Sequence, residues 1–274
     1  MRHLGRIALP RRVLDALRAY QNRLDRELAS LRRTGAPELV AITEGAWERH
    51  RSTKAVTAVV LALDAMASGR ARCMYCEDSR GCDVEHFRPK ARFPGHTFTW
   101  MNLLKVCTDC NRQKDAAFNA QLLDPTVLDP YDHLLLTFST GRYRARQGSS
   151  RGAATLRILP RLNHAQVLQE GRRDAWVKLK ELLSRFDQLT EAGDHARASS
   201  LRQVIVRLPF SGVFAAALRA SEEPGAATVL GADFMAVLKR RPELRRWLQD
   251  EDKARATQAD PGIQDAARRI RLRR

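Results

Sequence analysis

The chain has 274 residues, 48 Lys and Arg against 31 Asp and Glu, a formal charge of +17 and a pI near 10.6. That length can bury a substantial core, as one large domain or two modest ones, and the charge favours a polyanion, whether DNA, RNA or an anionic membrane surface. The most apolar run, Ala58 to Ala67, is short and broken by Asp64, which excludes a bilayer span, and no N-terminal stretch resembles a secretory signal. The expectation is a soluble cytoplasmic protein without membrane insertion, its five cysteines reduced and available to metal.

Residues 1–70 carry a charge of +6 and read as helices. Between Arg12 and Arg33 the apolar positions Val13, Leu14, Leu17, Tyr20, Leu24, Leu28 and Leu31 recur at three- and four-residue steps, and Gly35 and Pro37 stop the pattern. A second helix is predicted from about Ser52 to Ser68, with Val56, Val59, Val60, Leu63 and Met66 on its buried side and Gly69 as its terminator.

Residues 71–141 differ, with a charge of −1 and the pattern Cys73-Met-Tyr-Cys76, Glu85-His86, Cys107-Thr-Asp-Cys110, then Asn111 at once. Zn²⁺ prefers four soft or borderline ligands in a tetrahedron, and two Cys-x-x-Cys turns supply two thiolates each. A lone pair would suit a redox motif, but two pairs around a polar segment without a βαβ pattern point to structural zinc. Cys82 is left as a small buried or bystander residue, or as a substitute ligand under another pairing. Asp83 to Lys90 has no helical period and contains Pro89, so it suits a strand leading into a turn. After the Phe93-Pro-Gly-His96 loop, Thr97 to Trp100 is expected as a second short extended piece, and a helix is expected from Asn111. The order strand, loop, strand, helix is that of a ββα-metal unit.

Residues 142–274 carry +12. Gly148-Ser-Ser-Arg-Gly152 reads as a flexible break, followed by a long amphipathic pattern from Asn163 through Val167, Leu168, Trp176, Leu179, Leu183, Phe186 and Leu189, ended by Gly193. Further helices are predicted over Ala196 to Leu208, stopped by Pro209, around Val213 to Leu218, and over Asp233 to Gln249, interrupted at Pro242. From about Glu251 the chain reads as poorly ordered, down to the basic tail Arg268-Arg269-Ile270-Arg271-Leu272-Arg273-Arg274. Because the middle segment is nearly neutral, any electrostatic hold on a phosphate backbone must come from the flanks; the alternative is a charged surface that only keeps the chain soluble.

The quoted residues resemble the HNH endonucleases, in the zinc-stabilised form with Glu-His-Phe-x-Pro-Lys at Glu85 to Lys90, Trp-x-Asn-Leu-Leu at Trp100 to Leu104 and Cys-x-x-Cys-Asn-x-x-Lys at Cys107 to Lys114. The likeness covers residues 73 to about 118, and Leu122 to Pro130 with Asp132-His133 is similar to the continuation in some bacterial HNH proteins. Relatives of this kind occur in anti-phage defence systems such as Septu and Zorya. The resemblance implies a mostly helical α+β fold in which basic helical regions, 1–70 and 142–274, flank an HNH core at 71–141. It implies a Mg²⁺- or Mn²⁺-dependent DNA endonuclease or nickase, with an ATPase or membrane sensor as regulatory partner.

It also implies roles. His86 would be the general base, since an imidazole near its usual pKa accepts a proton at physiological pH. Glu85 and Asn111 would bind the catalytic cation through hard oxygen donors, with Asp83, two residues from Glu85 on the same strand face, as the rival carboxylate. Asn102 would tie down the loop carrying the base, or else serve as an ordinary turn cap. Lys114, one helical step after Asn111, would touch a phosphate, as would Lys90 or Arg88, although such side chains are mostly solvated. An RNA nuclease, or a zinc module that binds nucleic acid without cutting it, are the other readings of the same residues.

Overall fold

The computed structural model describes residues 1–30, 36–78 and 80–270. Of the stripe predicted near the N-terminus, α1 (Arg11–Ser30) buries Val13, Leu17 and Leu24, half-buries Tyr20 and Leu28, and leaves Leu14 exposed. The rest of that span, with Leu31, Arg33 and Gly35, lies outside the described residues. Pro37 does not end a helix: it stands in the first turn of α2 (Ala36–His50), where a missing N–H is harmless. α3 (Lys54–Met66) opens on Thr53, whose hydroxyl accepts the Val56 N–H, and buries Val56, Val59, Leu63 and Met66. It ends as Ala67 turns extended, so Gly69, read as the terminator, sits inside the single turn of α4 (Ser68–Ala71).

The predicted strand is β1 (Asp83–His86), antiparallel to β2 (Leu103–Val106), with Glu85 opposite Leu104 and His86 opposite Leu103. The second extended piece therefore lies beyond the expected Thr97 to Trp100. Thr97 closes one 3-10 turn on Pro94 O, and Trp100–Asn102 forms another, whereas Leu103–Val106 is buried throughout and packs against α3. α5 (Thr108–Lys114) follows, starting three residues before Asn111.

A hairpin, β3 (Leu134–Thr137) with β4 (Arg142–Ala145), was not foreseen; Gly141 allows it, with φ 66° and no room for a Cβ against the Gln169 carbonyl. The expected flexible break at Gly148 to Gly152 is instead the capped start of α6 (Ser150–Ile158), with Ser149 Oγ accepting the Gly152 N–H. Then come α7 (Arg161–His164) and α8 (Gln166–Glu191), the latter ended near Gly193 at φ 73°, and α9 (His195–Val206) and α10 (Ser211–Ala220) at the predicted places. α11 (Ala226–Leu230) precedes α12 (Ala232–Arg240), which is clamped to α8 by Asp187 accepting from Arg240 Nε at 2.9 Å and Arg241 Nε at 2.6 Å.

Where disorder was expected beyond Glu251, α13 (Trp247–Arg268) runs through Pro261 and packs along α3. Ile263, Ala266, Ala267 and Ile270 are buried at i, i+3, i+4 and i+7, one apolar face hidden among charged neighbours. The basic tail begins on that helix, with Arg269 paired to Asp265 at 2.9 Å; residues 271–274 lie outside the described residues. The result is a mostly helical α+β fold with two small antiparallel sheets. No single described helix is long and apolar enough to cross a membrane.

Candidate functional site

Two backbone knuckles bring the four predicted cysteines together. The Sγ atoms of Cys73, Cys76, Cys107 and Cys110 all lie within 4.8 Å of one another, and all four residues are buried. The Cys76 and Cys107 sulfurs are 3.8 Å apart. A tetrahedron with Zn–S bonds of about 2.3 Å has S···S edges of about 3.8 Å, so this donor set fits zinc. The first knuckle is tied to β2 by the Met74 N–H on Lys105 O at 2.9 Å, and its Glu77 takes a left-handed φ of 63° while its carboxylate accepts the Gly212 N–H. The second caps α5, with the Asn111 N–H on Cys107 O at 3.0 Å. Cys82 is exposed, its sulfur 3.2 Å from Thr108 Oγ1, and stands apart from the group.

β1 and α5 meet in two rungs. Alternation along the strand puts Asp83 and Glu85 on one face, and a helical step puts Asn111 and Lys114 on the facing side of α5. In the outer rung Asn111 Nδ2 donates to Asp83 Oδ2 at 3.1 Å, with both residues half-buried. In the inner rung Lys114 Nζ donates to Glu85 Oε1 at 2.5 Å and to His86 O at 3.1 Å. Lys114 is 0% exposed and Glu85 5%. Burial raises the Glu85 pKa, and the Lys114 ammonium opposes that rise. A phosphate oxygen reaches Lys114 Nζ only by displacing Glu85, so the expected phosphate contact is not available in this arrangement.

His86 is buried at the end of the strand. Its Nε2 lies 3.0 Å from Thr97 O, which can only accept, so Nε2 carries the proton and Nδ1 keeps its lone pair. The Trp47 ring stands edge-on at 4.6 Å and an interplanar angle of 82°. Burial, then the nearby Lys90 charge, push the His86 pKa down to about 3 against the opposing bond to Thr97, so the ring is neutral at physiological pH.

Asn102 bridges the loop that follows. Its Oδ1 accepts the Arg88 N–H at 2.7 Å, and its Nδ2 donates to Arg88 O at 3.1 Å and His96 O at 3.0 Å. The side chain thus joins the two sides of the segment between His86 and β2. Asn102→Ala would leave three backbone groups without this partner, and we expect a loss of about 2 kcal/mol in thermal or urea unfolding. Unchanged stability would remove the bridge from the explanation of this loop.

A cleft of about 560 Å³ opens over the outer rung, lined by Asp83, Glu85, His86 and Asn111 together with Glu44, Trp47 and Glu48 of α2. The α2 residues were missed, because the sequence reading ended the helical pattern at Pro37. The charged lining comprises Glu44, Glu48, Asp83, Glu85 and Asp115 against Arg51, Lys90 and Arg112. Arg51 pairs with Glu48 at 3.0 Å, Lys90 with Glu44 at 3.9 Å and Lys114 with Glu85, so Asp83 and Asp115 are the lining carboxylates that meet no cation among the described residues. Lys90 therefore faces the cleft, whereas Arg88 points to His96, with Nη1 3.0 Å from Nε2. Uncompensated carboxylates repel a polyanion, and a divalent cation would reverse that.

No family model and no solved structure matches the chain. Over 83 residues, 28% of this chain, it is 35% identical to the Septu protein PtuB of Bacillus thuringiensis. The chain spans about a third of the length of that relative, 32%. Within that stretch it is similar to a protein of a Septu system.

Proposed function

We propose that the protein is a metal-dependent nuclease of the HNH type that hydrolyses DNA phosphodiester bonds in anti-phage defence. The observation that carries this reading is His86. It is a neutral imidazole with its proton fixed on Nε2 by Thr97 O and a basic Nδ1, beside a cleft that also holds Asp83, Glu85 and Asn111. Hydrolysis needs a base for water, neutralisation of charge on the phosphate and stabilisation of the leaving oxygen. His86 Nδ1 would take the water's proton. Trp47 and the Asn102-bridged loop hold the ring and its backbone partner in register. An imidazole held this far below its usual pKa is a weak base, so the water must itself be acidified.

Mg²⁺ or Mn²⁺ supplies that acidification when bound and neutralises phosphate charge. The hard oxygen donors present fit such an ion: Asn111 with a carboxylate of β1, Glu85 in the sequence reading. Zinc in the four-cysteine group would hold β1 and α5 in register without touching substrate. Phosphate grip falls to the basic flanks, since the cleft has more acidic than basic lining residues. The likeness to PtuB supports the defence setting and, with it, a partner protein that governs activity; an ATPase or membrane sensor fits that role.

The test is incubation of zinc-loaded protein with supercoiled plasmid and with RNA, each with Mg²⁺, Mn²⁺ or EDTA, beside His86→Ala. We expect metal-dependent nicking of plasmid that drops by about 10²-fold or more in His86→Ala. Cleavage of RNA alone would move the substrate class, and cutting that survives His86→Ala would remove the proposed base.

A further inference from the structure

We propose that the carboxylate holding the divalent cation beside Asn111 is Asp83, and that Glu85, although it directly precedes His86, is spent on Lys114. The inference rests on the cation-dependent reading above and names the ligand within it.

The two rungs between β1 and α5 are chemically unlike. The inner one is complete: a buried ammonium and a buried carboxylate neutralise each other at 2.5 Å, and the ammonium also serves His86 O. A divalent cation drawn to Glu85 would stand next to the Lys114 charge in a site that water screens poorly, and the two would repel. Taking Glu85 away from Lys114 would instead strand an ammonium with 0% exposure. Glu85 therefore has an occupation that competes with metal binding.

The outer rung has the opposite character. Asn111 Nδ2 donates to Asp83 Oδ2, which leaves Oδ1 of each side chain drawn on by no donor among the described residues. These are a charged and a neutral hard oxygen on adjacent side chains, half-buried at the cleft, with no cation among the described residues to neutralise the carboxylate. Hard divalent cations take such oxygens and keep several waters, leaving positions for phosphate. The shorter reach of Asp suits the rung that already touches Asn111. His86 lines the same cleft, so a cation on the outer rung would share that cleft with the imidazole.

The experiment is Mn²⁺ binding to the zinc-loaded full chain, by calorimetry and by the Mn²⁺ spin-resonance signal, with thermal unfolding in parallel, for the parent, Asp83→Asn and Glu85→Gln. We expect Asp83→Asn to weaken Mn²⁺ binding by about tenfold or more with an unchanged melting temperature, and Glu85→Gln to melt earlier while binding Mn²⁺ within about threefold of the parent. If Glu85→Gln does not fold, the double variant Glu85→Leu with Lys114→Met, which removes both charges, takes its place and is expected to keep the Mn²⁺ site. A parent that binds Mn²⁺ while Asp83→Asn binds it equally well overturns this assignment and leaves the nuclease reading standing. Loss of Mn²⁺ binding in Glu85→Gln or in the double variant, with the fold intact, overturns it too. A parent with no Mn²⁺ site overturns the cation-dependent reading and the assignment together.

Discussion

Cys110→Ser is expected to cost the zinc-loaded protein about 4 kcal/mol or more and to abolish cleavage, although Cys110 touches no substrate. Structural zinc contributes roughly 10–16 kcal/mol of apparent binding energy in small domains, and a serine hydroxyl is a poor replacement for a thiolate, so a substantial share is lost. At about 2–4 °C per kcal/mol for a chain of this size, the melting temperature should fall by roughly 10 °C. Activity follows because the same four residues set the frame of the site. Cys107 and Cys110 fix the start of α5, from which Asn111 projects, and the first knuckle is bonded to Lys105 O of β2, the strand that pairs with Asp83 through His86. Chelation should reproduce both losses, and readdition of zinc should restore them. Thermal unfolding, zinc content and plasmid nicking on the same samples check this. A Cys110→Ser protein as stable and as active as the parent would sink the coupling.

The zinc group and the ββα order were legible because their spacing is local: a Cys-x-x-Cys turn closes on itself, and strand alternation or a helical step decides which side chains share a face. That logic placed Asp83 with Glu85 and Asn111 with Lys114. It could not say which member of each pair would be sealed, since that is decided by tertiary burial, which closes over Glu85 and Lys114 and leaves Asp83 and Asn111 half-buried. The second strand was misplaced because Thr97 and Trp100 have strand-prone side chains, yet their backbone is taken up in turns. α2 was hidden by reading Pro37 as a stop, although Glu38 in the first turn and Arg49 with His50 in the last are the charges a helix favours at its ends. Missing α2 meant missing Trp47, the residue against the His86 ring. α13 was lost to composition: Asp, Glu, Lys, Arg and Gln between Gln249 and Gln264 mask an apolar face that packs mainly on α3.

Lys114→Met should destabilise the fold by about 3–5 kcal/mol, because it leaves Glu85 as a buried carboxylate with its cation gone. The methionine matches the lysine stem in size, so packing is largely kept and the loss is electrostatic. Its pH dependence follows from the direction of the Glu85 shift. Burial raises that pKa in the folded protein, and Lys114 is the group that opposes the rise, so in the variant it should stand higher still. A carboxyl whose folded pKa exceeds its unfolded value, about 4.3, adds a penalty that grows as pH rises from the unfolded value to the folded one and is absent below both. Lys114→Met should therefore differ most from the parent near neutrality and approach it near pH 4. Replacing Glu85 by Leu in the same chain removes the unpaired charge and should recover most of the loss at pH 7, since an apolar pair of similar volume often stabilises as well as a buried ion pair. Urea unfolding of the parent, Lys114→Met and the double variant at pH 7 and pH 4.5 measures all three expectations. A single variant within about 1 kcal/mol of the parent at pH 7 would mean that water reaches the inner rung, and that Lys114 is free to meet a phosphate after all.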